Sequence, residues 1–434
     1  MSAPPPSGER RLAASATVRV TAGGVRATAG AAVRTAAATA VACALAAGCG
    51  TRPAASPPAA VPATGSVLAP LATSFAGAAG AGRAIVEMGG SAAGENNFWE
   101  LFVRPAGSPW WRLATPAGVA DNGGLEVAGP AGTGGSLVTG FRPSQDLTYS
   151  PLAVTSDDGA SWSAAGPVNP GLAAAPDALA AGPGGRLIAL TTGGRAELGS
   201  AAGTAWTPLS SVSALAATPA GKSCGLIGLT AVAFGGTGFP IVAGDCSLPG
   251  TVGIFADQGG TWRAAGPVLP GSLSRENIGV LRLARTTTRA TTRASTGAGS
   301  GVVALLRAGS GPDTSLVAAW SDGGSGPWTL SAPLRIGAGQ LRSTSVGPGG
   351  AIGIIPNGRH AESLAGPGSS WRALPVLPAS AATLALGPGG RADAIAAHGG
   401  TFTDWRLTLG ARAGTARWSL AQTIHVTIPY GSSG

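Results

Sequence analysis

Short apolar runs recur along the chain, and each is opened by a glycine-rich turn and followed by a turn that ends in tryptophan. Runs of about four to eight apolar residues between glycine signals are typical of β-strands that are buried on both faces. The glycine-rich turns lie at 77–82, 131–135, 182–185, 235–238, 297–301, 347–350 and 387–390. The tryptophans that close the copies are Trp111, Trp162, Trp206, Trp262, Trp328, Trp371 and Trp418. The pattern therefore predicts seven copies of one unit of strands.

The copy at 178–209 shows the unit most completely. Its stretch ALAAGPGGRLIAL predicts two strands joined by a tight turn, a third strand follows near 195–199, and a fourth runs over 206–211. Isolated hairpins cannot bury such apolar strands, so the units must stack or close into a ring. We therefore expect an all-β fold, a seven-bladed β-propeller of four-stranded antiparallel blades over 71–434.

Ring closure needs a partner for the last unit. The C-terminal segment Thr423–Tyr430 reads as a strand, and we expect it to pair with the first blade. Such pairing would remove the open sheet edges that favour aggregation.

The N-terminal residues 1–48 have the features of an export signal. Residues 1–35 carry arginines and almost no acid, and residues 36–48 are an apolar stretch that is too short to span a bilayer. The segment Leu45–Cys49 resembles a bacterial lipoprotein box. The resemblance implies signal cleavage before Cys49 and a lipid on its thiol.

Residues 49–70 are rich in proline, alanine and serine, which predicts an extended tether between the lipid and the propeller. We therefore expect the chain to be exported and anchored at the outer face of the cytoplasmic membrane or the cell surface. Two alternatives stay open for the N-terminus. One is an ordinary signal peptide, and the other is a twin-arginine signal at Arg10 and Arg11.

The composition fits an exported protein. Charged residues make up 11% of the chain, which is less than most cytosolic surfaces carry, and the net charge is +9. Because the arginines are not clustered among aromatic residues, we expect no nucleic-acid partner. The insertion at 285–300 is basic and rich in threonine, and it reads either as a contact arm for an anionic partner or as a neutral surface loop.

A sharper motif marks some of the tryptophan turns, with an aspartate two positions before a glycine and five or six before the tryptophan. It resembles the Asp-box, or BNR repeat, of sialidases and of many non-enzymatic propellers. In such a turn the aspartate accepts main-chain N–H bonds, the glycine adopts positive φ, and the tryptophan packs between blades. These residues are expected to be structural. The positions are Asp157, Gly159 and Trp162; Asp257, Gly259 and Trp262; and, with one inserted residue, Asp322, Gly324 and Trp328.

The cysteines beyond the signal region are Cys224 and Cys246. The glycine turn at 235–238 lies midway between them, so a hairpin there brings them close. In an exported protein this predicts a disulfide, with two free thiols as the alternative. The histidines share no metal-ligand spacing, so we expect no metal and no cofactor.

Sialidases use three arginines, a Tyr–Glu pair and an aspartate, whereas this chain has two tyrosines, Tyr149 and Tyr430. We therefore expect no catalytic residues and a monomeric, lipid-anchored propeller that binds an envelope protein or glycan at its central face. The main alternative is a secreted sialidase-like or other glycoside hydrolase. Such an enzyme would show an arginine trio facing a Tyr–Glu pair, or two close carboxylates, in the central channel. A lipoprotein sensor is a third possibility.

Overall fold

The computed structural model describes residues 71–77, 80–90, 97–105, 107–114, 125–128, 137–141, 148–203, 205–286, 301–338, 341–356, 358–387, 391–398, 401–408 and 416–426. All of them belong to one compact unit, Ala60–Gly434. The predicted signal at 1–48, the predicted tether at 49–70 with Cys49, and the insertion from 287 to 300 lie outside the described residues.

The described strands follow one another as antiparallel meanders of four. The first four meanders are β1 Leu71–Gly77, β2 Gly80–Gly90, β3 Asn97–Arg104 and β4 Arg112–Leu113; β5 Leu125–Ala128, β6 Leu137–Phe141, β7 Leu152–Thr155 and β8 Ser163–Ala164; β9 Leu179–Ala181, β10 Arg186–Leu190, β11 Arg195–Ser200 and β12 Thr207–Ser211; and β13 Leu226–Phe234, β14 Pro240–Cys246, β15 Gly253–Asp257 and β16 Trp262–Ala264.

The remaining meanders are β17 Ile278–Thr286, β18 Gly301–Ala308, β19 Ser315–Ser321 and β20 Trp328–Leu330, with β21 Leu334–Arg335 also paired to β19; β22 Ser343–Val346, β23 Ile352–Ile355, β24 Glu362–Leu364 and β25 Arg372–Ala373; and β26 Thr383–Leu386, β27 Ala392–His398, β28 Thr401–Thr408 and β29 Arg417–His425. The first strand of each meander is called its inner strand here.

The described strands form six hydrogen-bonded sheets, so the propeller is six-bladed and the expectation of seven blades is wrong. The reason is a parallel pairing of two inner strands. Leu71 and Ala72 of β1 pair with Thr344 and Ser345 of β22, which joins two meanders into one eight-stranded sheet. The glycine–tryptophan pattern marks each meander separately. It does not indicate which strands of different meanders pair with each other.

Consecutive inner strands contact one another around a ring: β1 with β5, β5 with β9, β9 with β13, β13 with β17, β22 with β26, and β26 with β1. Between β17 and β22 the link is made by side chains, because the Arg282 guanidinium donates to the hydroxyl and the carbonyl of Thr344. This circular order runs through seven inner strands, and because β1 and β22 share one sheet, the described strands form six blades.

The ring does not close through the C-terminal strand as expected. Thr423 pairs with Thr403 and His425 with Thr401, so β29 is the fourth strand of its own meander. Residues 427–430 lie outside the described residues. The prediction that this segment pairs with the first blade is therefore wrong over its described part.

Side chains of the first and last meanders make the closing contact instead. The rings of Phe102 and Phe402 stack with centroids 4.0 Å apart, and Trp111 packs against the same Phe402 ring at 5.8 Å. The amide of Gln422 accepts from the Trp111 main-chain N–H at 2.8 Å and donates to the Trp111 carbonyl at 2.9 Å. The stacked aromatic rings and the pair of hydrogen bonds thus join the first meander to the last.

A buried ion pair joins inner strands at the centre of the ring. Arg282 on β17 donates from Nε and Nη2 to the carboxylate of Asp177 at 2.9 and 3.0 Å, and the Leu283 N–H donates to the same carboxylate at 2.7 Å. Asp177 precedes β9, and its carbonyl accepts from Val232 of β13. Together with Thr344, this network connects the β9, β13, β17 and β22 strands.

The predicted disulfide is confirmed. Cys224 and Cys246 are bonded with their Cα atoms 5.3 Å apart, and the bond closes a loop of 22 residues. Closing a loop of this length stabilises a fold by about 3 kcal/mol. The residues before Cys224 form two short helices, α1 Val212–Ala217 and α2 Pro219–Cys224, which the sequence patterns did not predict. No helix among the described residues is long and apolar enough to cross a membrane.

Four charged side chains meet where the last meander contacts the first: Arg104, Asp393 and Asp404 are buried, and Arg406 is partly exposed. Arg104 of β3 donates to Asp393 of β27 at 2.7 Å, and Arg406 of β28 bonds to Asp404 of the same strand at 3.3 Å. Asp404 is fully buried, and its Oδ1 atom has no hydrogen-bond partner in the part of the chain that the structure describes. Burial and the negative charge of Asp393 raise the pKa of Asp404 to about 6, although Arg406 and Arg104 act in the opposite direction.

We predict that Asp404→Asn flattens the pH dependence of stability. A carboxyl with a raised pKa holds its proton more tightly in the folded state, so its contribution is largest below pH 3.8 and is lost as the pH rises through about 6. The loss in the wild type amounts to on the order of 2–3 kcal/mol, and the variant lacks it. Urea unfolding at pH 4, 5, 6 and 7 measures how the free energy of unfolding of each protein changes with pH.

The control is Asp313→Asn, which removes a carboxylate from an exposed ion pair with Arg335. Equal slopes for wild type and Asp404→Asn would contradict the prediction.

Candidate functional site

The turn between β7 and β8 is organised around Asp157. Its carboxylate accepts from the Thr155 hydroxyl at 2.7 Å, from the Ser161 N–H at 2.8 Å and from the Ser161 hydroxyl at 2.6 Å. The Ser161 hydroxyl, followed by that of Thr155, holds the pKa of Asp157 well below its usual range. In the corresponding turn before β16, Asp257 accepts from the Gly260 N–H at 2.7 Å.

The glycines of two of these turns pack against the preceding meander. Gly159 has φ +84°, and a Cβ there would lie 2.9 Å from the Cβ of Ala114. Gly324 has φ +82°, and a Cβ there would lie 2.5 Å from the Ile241 side chain. A larger residue would therefore force neighbouring meanders apart as well as strain the backbone. The φ of Gly259 is also positive, at +66°, in open space.

Several of the tryptophans hold neighbouring meanders together. Trp262 packs at the edge of the apolar cluster that joins the third and fourth meanders. The indole N–H groups of three later tryptophans donate to main-chain carbonyls of the preceding meander: Trp328 to Ala265 at 2.6 Å, Trp371 to Ala332 at 3.0 Å and Trp418 to Pro375 at 3.0 Å. None of the predicted turn residues lines the pocket described next. The Asp-box assignment itself stays a prediction.

A pocket of about 390 Å³ opens between two neighbouring sheets, where β14 and β18 end and β13 and β17 begin. Cavities of this size accept small ligands. Its lining is formed by Ile227, Asp245, Cys246, Ser247, Asn277, Ile278, Gly279, Arg307, Gly309 and Ser310. The disulfide at Cys246 braces one wall, since it ties the end of β14 to the end of α2.

Two opposite charges face each other in this pocket without touching. The point where a Cβ on Gly279 would sit lies 3.4 Å from Asp245 Oδ1 and 3.8 Å from Arg307 Nη2. Among the described residues, no hydrogen bond or ion pair engages the Asp245 carboxylate, and the buried Nε of Arg307 has no hydrogen-bond partner. Burial raises the pKa of Asp245, and the positive charge of Arg307 lowers it. A carboxylate and a guanidinium thus stand side by side, both with unused bonding capacity.

Neither charged residue of this pocket was predicted from the sequence patterns. Asp245 directly precedes Cys246, so the predicted disulfide hairpin could have drawn attention to it. Arg307 is 62 positions away, next to the end of β18, whose other residues are all apolar or glycine. Their meeting depends on how two meanders pack, which no local pattern encodes. The pocket also lies between sheets rather than at the predicted central face.

Features expected of a sialidase are not brought together around the pocket. Tyr149 is 40% exposed and is not part of the pocket lining, and Tyr430 lies outside the described residues. The buried carboxylates that do lie close together, Asp393 and Asp404, are held by arginines at the ring closure. Within the described ranges no group of three or more His, Cys, Asp or Glu side chains is placed to hold a metal ion.

No protein-family model matches the chain, and no curated protein does. Similar solved structures exist at low identity. YCF48 from Cyanidioschyzon merolae is similar over 79% of this chain and 94% of its own length, with 14% identity and a TM-score of 0.41. A six-bladed β-propeller lectin from Aleuria aurantia, described with a fucose recognition mode, is similar over 83% and 96%, with 14% identity and a TM-score of 0.40. A protein from Lactobacillus plantarum is similar over 80% and 96%, with 12% identity and a TM-score of 0.48. Because these TM-scores are below 0.5, the propeller assignment and the site rest on the strand pairing and the contacts above.

Proposed function

We propose that this chain is a non-catalytic binding protein of the bacterial cell envelope, held at the membrane by a lipid on Cys49. It uses the pocket between β13–β14 and β17–β18 to hold an envelope protein or polysaccharide. The observation that carries the proposal is the pair of Asp245 and Arg307, which face a cavity with their bonding capacity unused. Charged groups in such a position cost free energy until a partner satisfies them.

The surroundings of the pocket support a preformed site. The apolar cluster beside it includes Ile278, Val280, Leu306 and Ala308, all almost completely buried, and the disulfide fixes the opposite wall. A site built on packed strands loses little conformational entropy when a ligand binds. The disulfide also supports export, because such bonds persist in oxidising compartments.

The chemistry of the lining supports binding rather than catalysis. Among the described residues that line the pocket, Asp245 is the one carboxylate, and the sulfur of Cys246 is held in the disulfide. Glycoside hydrolysis by the common route needs two carboxyl groups across the scissile bond. The lining therefore favours recognition of a ligand over its cleavage.

We predict that the full-length chain, kept in detergent, cosediments with isolated cell-envelope fragments through this pocket. Asp245→Asn and Arg307→Met each weaken the binding about tenfold, because each leaves the other charge without a counterpart. Asp313→Asn removes the same charge from an exposed ion pair outside the pocket lining and should bind as the wild type does. Equal retention of all four proteins would show that the pocket is not the contact.

We also predict that Cys49→Ser releases the chain from membranes. A serine cannot form the thioether that carries the lipid, so the variant appears in the soluble extracytoplasmic fraction and takes up no labelled palmitate. The control is the double variant Cys224→Ser with Cys246→Ser, which removes the two disulfide-bonded cysteines and keeps Cys49 as the anchor. A Cys49→Ser chain that stays membrane-bound and labelled would rule out lipid anchoring at this residue.

A further inference from the structure

We infer that the pocket binds a neutral saccharide, with one hydroxyl or two adjacent hydroxyls bridging Asp245 and Arg307. The inference rests on the proposed function and narrows its partner from protein or glycan to glycan. It is carried by three observations: the complementary hydrogen-bonding roles of the two charges, the absence of net charge in the pair, and the space that Gly279 leaves between them.

The hydrogen-bonding roles point to a group that both donates and accepts. An ionised aspartate can only accept and a guanidinium can only donate. Both groups lie within 4 Å of the point where a Cβ on Gly279 would sit, and among the described residues no hydrogen bond joins them. A hydroxyl placed there accepts from Arg307 and donates to Asp245 at the same time, and adjacent sugar hydroxyls do so with one oxygen each.

The charge balance argues against ionic ligands. A phosphate or a carboxylate would be attracted by Arg307 and repelled by Asp245. A cation would be attracted by Asp245 and repelled by Arg307. A neutral polyol matches both groups. The other polar side chains of the lining, those of Ser247, Asn277 and Ser310, carry hydroxyls and an amide that also suit sugar hydroxyls.

The rim adds an apolar surface. Ile227 is 64% exposed although it is a large aliphatic residue on a strand, and it lines the pocket. The C–H face of a sugar ring can pack on such a side chain while its hydroxyls reach the charged pair. An aliphatic wall with a few placed polar groups is the usual composition of a small-ligand site.

Gly279 offers a variant that blocks the gap without disturbing the fold. Its backbone does not need positive φ, and an added Cβ would meet Asp245 and Arg307 at ordinary contact distances of 3.4 and 3.8 Å. Gly279→Ala therefore keeps both charges and places a methyl group where the bridging hydroxyl would lie. Gly326→Ala is the matched control, since a Cβ there meets nothing within 4 Å and the residue is exposed.

The test is ligand-observed NMR and calorimetry on the full-length chain in detergent with neutral hexoses, pentoses, N-acetylhexosamines and their methyl glycosides. We expect saturable binding of at least one sugar, weakened at least about tenfold by Gly279→Ala and by Asp245→Asn, and unchanged in Gly326→Ala. The midpoint of thermal unfolding should be the same for both alanine variants. Binding of none of these sugars, or equal binding by Gly279→Ala, would overturn the inference.

Failure of this inference can be told apart from failure of the proposed function. If Asp245→Asn weakens envelope binding as predicted, while free sugar does not compete and protease treatment of the fragments removes the binding, the ligand is a protein. In that case the saccharide inference falls and the binding role stands. If envelope binding does not depend on Asp245, both fall together.

Discussion

The buried ion pair of Asp177 and Arg282 is the contact on which the shape of this propeller depends. Arg282 is 3% exposed, and its side-chain partners Asp177 and Thr344 lie more than 60 residues away along the chain. An arginine in such a place is tolerated because its charge is neutralised and its N–H groups are bonded. The network therefore links β17 to β22 and to the segment that precedes β9.

The same balance of apolar packing and paired charge recurs around the ring. Most neighbouring meanders meet through aliphatic clusters, and the first and last meet through stacked aromatic rings with a buried group of charges beside them. The pocket differs because its charges, Asp245 and Arg307, are left without a direct contact although the strands that carry them are well packed. Polar groups that the fold positions but does not satisfy are the usual mark of a binding site.

The sequence predicted what local patterns encode and missed what depends on distant contacts. The strands of the third meander, such as β11 at Arg195–Ser200, and the Cys224–Cys246 disulfide follow from short-range spacing. The two helices were missed although Thr218 before a proline is a recognisable helix start and Gly225 a recognisable end. The joining of β1 to β22, the central ion pair and the lining of the pocket could not be read from the sequence, because each depends on register and packing between residues far apart.

A double-mutant cycle on the central ion pair tests this account most directly. Free energies of unfolding in urea would be measured for the wild type, Asp177→Asn, Arg282→Met and the double variant. We expect each single change to cost about 3–5 kcal/mol, since it leaves a buried charge unpaired, and the double change to cost far less than the two together. Single costs below about 1 kcal/mol that simply add in the double variant would show that the ring does not depend on this contact.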